Sequence, residues 1–81
     1  MTLTTIELGK IYLCRPVHAS VEYLMHVVRK IDGLEQVIEG KFYNPETGRA
    51  LTQFNTSTNV KNVIREATLD EKTLILARNP I

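Results

Sequence analysis

Tryptophan is absent from this 81-residue chain, and cysteine occurs once, at Cys14. A single thiol excludes an internal disulfide, and the two histidines, His18 and His26, stand in no recognised metal-ligand spacing. No cofactor is expected, and a reducing compartment fits best. Long apolar runs are missing, as is a basic N-terminal stretch leading into an apolar one, so neither a membrane span nor a secretory signal is expected. The expected location is intracellular, nuclear or cytoplasmic. An excess of one charge is lacking too: ten Lys and Arg against nine Asp and Glu leave a formal net charge of +1. Any nucleic-acid role must therefore rest on a local patch instead of a global field. No Gly-rich phosphate loop, metal cluster or acid/base pair is recognisable, and no enzymatic activity is expected. Cys14 with His18 four residues on suggests a nucleophile, but no third group orients the histidine, and a small apolar filler is the simpler role.

What is present suffices for one core. Apolar residues make up 43% and charged residues 23%, the balance of a folded globular domain and not of a disordered chain. Folding at this length buries only roughly 60% of the unfolded surface. A single domain over residues 1–81 is expected, with Met1 to Thr5 loose.

Apolar periodicity supplies the elements. Ile11 and Leu13 alternate with Tyr12 and Cys14, a half-buried strand ended by Pro16. From about Ala19, Val21, Leu24, Met25, Val28 and Ile31 recur at spacings of three and four, which predicts a helix closed by Asp32-Gly33. Alternation returns between Leu34 and Tyr43, with Ile38 and Phe42 on one face and Val37, Glu39, Lys41 and Tyr43 on the other. Asn44 to Gly48 reads as a tight turn, and "RALTQF" as the strand returning from it. Val60, Val63, Ile64 and Ala67 predict a second helix, and "KTLILA" a fourth strand bounded by Asn79-Pro80.

The order βαββαβ implies an α+β, ferredoxin-like split βαβ sandwich: a four-stranded antiparallel sheet with two helices on one face. With Ile11 and Leu13 toward the helices, and Phe54, Thr52 and Ala50 likewise inward, the open face would carry Lys10, Tyr12, Cys14, Lys41, Tyr43, Arg49, Leu51 and Gln53, with Arg78 at the rim. Aromatic rings among Lys and Arg are what single-stranded nucleic acid requires: bases stack on the ring and cations track phosphates.

"IYLCRP", Ile11 to Pro16, is similar to the first-strand hexamer of the RNA recognition motif, and "TGRALTQF", Thr47 to Phe54, resembles a degenerate form of that family's third-strand octamer. Gly48, Ala50 and Phe54 fit the octamer, while Thr47, Arg49 and Leu51 stand where the family carries a basic residue and two aromatics. The resemblance implies weak binding of short single-stranded RNA across the open sheet. Tyr12 would stack on a base, Arg49 and Lys41 would neutralise phosphates, Leu51 and Gln53 would touch base or sugar, and Tyr43, Lys10 and Arg78 would assist.

The rival expectation is a protein-interaction module of the same fold. Near-neutral charge, Leu51 in an aromatic's place and an outward-facing Ile75 favour it. A small-ligand regulatory domain is a third reading, since fold does not fix function.

Overall fold

The computed structural model describes residues 3–16, 20–33 and 35–79. Five strands, β1 (Ile11–Cys14), β2 (Tyr23–Ile31), β3 (Val37–Tyr43), β4 (Thr56–Asn59) and β5 (Val63–Glu66), precede one helix, α1 (Leu69–Arg78). They form one antiparallel sheet in the order β4-β3-β2-β1-β5. The described residues therefore form a small α+β domain with five strands and one helix, and the four-stranded, two-helix split βαβ sandwich is overturned.

One connection dictates the shape. β4 and β5 are the two edges of the sheet, yet only the 3-10 turn Val60–Asn62 separates them in sequence. Edges of a flat five-stranded sheet stand about 19 Å apart at ~4.8 Å per strand, whereas a 3-10 turn advances only about 2 Å per residue. The sheet must curl. The turn is fastened to both sides: Val60 N–H donates to the Gln36 carbonyl ahead of β3, and Arg15 N–H donates to the Asn62 carbonyl beyond β1. Register shifts accompany the curl, between Val27 and Arg29 in the β2–β3 ladder and between Leu13 and Cys14 in the β1–β5 ladder.

The concave face collects Tyr12, Cys14, Tyr23, Met25, Val27, Ile38, Val60 and Val63. Tyr23 stacks on Phe42 at 4.3 Å between ring centroids and shares a 2.6 Å hydrogen bond with the Thr58 hydroxyl. Leu3 and Ile6 join the same cluster, and Leu3–Thr5 is a 3-10 turn; Met1 and Thr2, the start of the segment expected to be loose, lie outside the described residues. Lys30 Nζ donates to the Ile6 carbonyl at 2.9 Å and to the Leu3 carbonyl at 3.4 Å, fastening the segment to β2.

The convex face carries Ile11, Leu13, Leu24 and Tyr43 against Ala67 and Ile75, the latter on α1. Both sheet faces are thus occupied, which explains the main misassignment. The predicted first helix is β2: Tyr23, Met25 and Val27 fill one face while Leu24 fills the other. A strand buried on both sides shows a continuous apolar run, whose threes and fours imitate a helix. The predicted second helix, carried by Val60, Val63, Ile64 and Ala67, is the 3-10 turn followed by β5. The predicted fourth strand is α1, started by a reciprocal cap in which Glu71 N–H donates to Thr68 Oγ1 and Thr68 N–H donates to Glu71 Oε1.

"RALTQF" is not a strand but an irregular return, tied to β3 by the Tyr43–Ala50 bridge and by the Leu51 N–H donating to the Phe42 carbonyl. The turn before it is as expected: Asn44 Oδ1 accepts from the N–H groups of Glu46 and Thr47, and Gly48 has φ +74°. β3 also keeps its expected faces, with Ile38 and Phe42 together on the concave side. Leu34 and Pro80, predicted as boundary residues, lie outside the described residues.

Gly40 stands opposite Val27, where the β2–β3 register shifts, and a Cβ placed there would meet the backbone carbonyl of His26. Backbone cannot yield as a side-chain tip does. Gly40→Ala is expected to cost about 3 kcal/mol, the upper end of overpacking penalties, read as a lower urea midpoint at unchanged slope.

Candidate functional site

The expected stacking platform is in the core. Tyr12 is 3% exposed on the concave face, and its hydroxyl accepts a 2.9 Å hydrogen bond from the Glu7 N–H. Cys14 lies beside it, fully buried, and burial pushes its thiol up to about 12. A thiol so protonated is a filler and not a nucleophile; His18 lies outside the described residues. The remaining expected site residues do not share one face. Lys41 and Tyr43 stand together on the convex side, the Lys41 ammonium 6.0 Å from the Tyr43 ring centroid, but Tyr43 is buried. Lys10 is engaged by Glu7 at 2.8 Å and Glu66 at 3.4 Å. Arg49, Leu51 and Gln53 are exposed on the return from the turn, and Arg78 is exposed in the last turn of α1.

Two further expectations reverse. Phe54 is 79% exposed instead of facing a helix, and Ile75, on α1, is buried against the convex face of the sheet instead of facing out. Phe54 is a large exposed aromatic that alternation hides, because the irregular segment "RALTQF" does not obey the period of a strand.

Helix α1 lies across the convex face with a groove on each side. The first, a cleft of about 600 Å³, has Leu13, Val21 and Leu51 among its lining. Val21 is 68% exposed and Leu51 is about half exposed, so this apolar surface faces solvent. Glu22 and Glu46 also line it, with the Arg65–Glu71 pair. Arg65 grips Glu71 with two nitrogens, at 2.8 and 3.1 Å. That hydrogen bonding holds the Glu71 carboxyl below its usual range against the opposing effect of burial, and it raises the Arg65 guanidinium. The pair neutralises itself, and the carboxylates of Glu22 and Glu46 set the cleft's charge. Gly48 and α1 fix the hairpin turn beside the cleft: a Cβ at Gly48 would strike the Leu74 backbone, and Asn79 Nδ2 donates to the Gly48 carbonyl at 2.6 Å.

The second groove, about 460 Å³, is lined by Ile11, Tyr43, Ile75 and Leu76 with His26 and Lys72. None of its lining residues is acidic, and Lys72 is paired with Glu66 at 3.5 Å. Neither groove gathers a metal set, as no group of three His, Cys, Asp or Glu suited to an ion occurs among the described residues. Among those residues, too, no helix is long and apolar enough to cross a membrane.

Comparison of the chain with family models, curated proteins and solved structures finds no match.

Two outcomes check this geometry. Cys14 should resist a thiol reagent at neutral pH in the native protein and react once the chain is unfolded in urea. Glu71→Gln keeps the capping geometry but removes the ion pair, and should cost about 1–2 kcal/mol at neutral pH, discounted for the partly exposed guanidinium. Because the folded-state pKa of Glu71 is depressed, this contribution is complete above the ordinary glutamate range and is lost as pH falls through the folded value. The parent and Glu71→Gln unfolding midpoints should therefore converge on acidification.

Proposed function

We propose that this domain is a protein-interaction module without catalytic activity, and that the cleft between the β1–β2 side of the sheet, α1 and the hairpin turn receives a segment of a partner polypeptide. The single observation that carries this reading is the exposure of Val21 and Leu51 in an open cleft where Glu22 and Glu46 have no ion-pair partner among the described residues. Exposed apolar surface rimmed by polar groups is the usual mark of an interaction site. The occupant of matching chemistry carries aliphatic side chains for the apolar lining and a lysine or arginine for the rim. Phe54, three residues after Leu51, is a further exposed apolar side chain of the return segment.

RNA binding is the second reading, favoured by one observation: Arg49, Gln53 and the exposed Phe54 share that segment, placing a cation and a stacking-competent ring within six residues. It would no longer involve Tyr12. Near-neutral total charge and the carboxylates of the neighbouring cleft count against it.

Selection of the domain against a random heptapeptide library tests the first reading. Enriched sequences should combine Leu, Ile or Val with Lys or Arg, and Leu51→Ser should weaken a selected peptide by about tenfold, as loss of one buried aliphatic contact implies. Glu46→Lys should weaken it further, with salt dependence far shallower than phosphate binding shows. No enrichment, together with binding of a mixed single-stranded RNA pool that collapses with salt and is lost in Phe54→Ala, would replace this reading with the second.

A further inference from the structure

The hairpin that walls the cleft also displays the chemistry the cleft is fitted to receive. Arg49, Ala50 and Leu51, on the return from the Asn44–Gly48 turn, are all exposed, and they present a guanidinium, a small side chain and an aliphatic one in succession. Their backbone is held while the side chains are not. The Arg49 carbonyl accepts from the Asn44 N–H at 2.8 Å, the Arg49 N–H donates to Thr47 Oγ1 at 3.3 Å, and the Leu51 N–H donates to the Phe42 carbonyl at 2.8 Å. The Arg49 guanidinium has no ion-pair partner among the described residues.

The two carboxylates of the cleft differ in the same respect. Glu22 lies close enough to the Arg65 guanidinium to favour its charged form. Glu46 is exposed at the turn, with only its N–H engaged, by Asn44 Oδ1 at 2.8 Å. A carboxylate and a guanidinium thus stand three residues apart on one hairpin without pairing with each other, beside the exposed Val21 and Leu51.

A patch that binds a copy of itself about a two-fold axis must carry both partners of every contact. This one does, since Glu46 and Leu51 line the cleft and Arg49 lies between them in sequence. A net charge of +1 sets no long-range repulsion between copies. We propose that the polypeptide received by this cleft is the same hairpin of a second copy of the chain, with Arg49 of each copy against Glu46 of the other and Leu51 of each against the other's apolar lining. The inference rests on the peptide reading of the cleft and names its occupant. With one aliphatic contact and one ion pair from each copy, the interface belongs to the small, transient class, under about 1,200 Å².

The symmetry makes the pairing testable by exchange of charge. Sedimentation equilibrium of the full chain, from about 10 µM to about 1 mM as a small interface demands, should show the mass rising from monomer toward dimer. Arg49→Glu and Glu46→Arg, both at exposed positions, should each weaken association by about tenfold or more, because each sets like charges opposite one another on both sides of the axis. An equimolar mixture of the two variants should recover the parent's association, as the mixed dimer restores both ion pairs. Amide shifts of the parent on dilution should cluster at residues 20–22 and 44–51, a readout that stands even where a variant folds poorly. A monomer throughout the range, dilution shifts confined to other residues, association that either reversal leaves intact, or a mixture no stronger than its components would overturn the proposal. Peptide enrichment on a protein that stays monomeric would keep the cleft reading and remove the second copy as its occupant.

Discussion

Three residues join the two edges of a five-stranded sheet, and the rest of the molecule follows from that shortage of chain. Because the link cannot span a flat sheet, the strands curl, and one face closes around its own side chains. The closed face takes the large residues of alternating strand positions, Tyr12, Tyr23, Met25 and Ile38, with the N-terminal segment fastened over it by Lys30. With that side buried, both grooves lie on the convex side. There a single helix covers the middle of the sheet, and its flanks become grooves.

Helix α1 is held from both ends more than by its apolar face, which buries only Ile75. At its start, Glu71 serves at once as reciprocal cap and as the partner of Arg65 from β5. At its end, Asn79 bonds the Ile75 carbonyl and the hairpin turn. The same contacts that fix the helix thereby divide the convex surface into an apolar cleft carrying Glu22 and Glu46 and an apolar groove with no acidic lining. Structure and candidate function meet at this division.

How much of this could be read from residues depends on the element. β1, β3 and the Asn44–Gly48 turn were legible, since each shows plain alternation or turn chemistry and each lies within one local environment. β2 was not, because Tyr23 to Val27 is apolar on both sides and the period of two is hidden. α1 was mistaken for a strand through the short apolar run Leu74 to Ala77, although Thr68 and Glu71 carried the reciprocal capping signature in plain sight. The placement of Lys41 beside Tyr43 survived these errors, as both belong to β3; Tyr12 did not, because its side of the sheet closes only through the link between β4 and β5. That closure is a property of topology, and no local pattern announces it.

The most direct measurement is a nuclear Overhauser spectrum of the labelled protein, read at Tyr12 and across residues 69–78. The curled sheet predicts a cross-peak between the Glu7 amide and the Tyr12 ring, together with strong sequential amide–amide contacts from Leu69 to Arg78. A Tyr12 ring without long-range contacts, and cross-strand contacts in place of helical ones through Leu74 to Ala77, would contradict it and return the functional surface to the opposite face of the sheet.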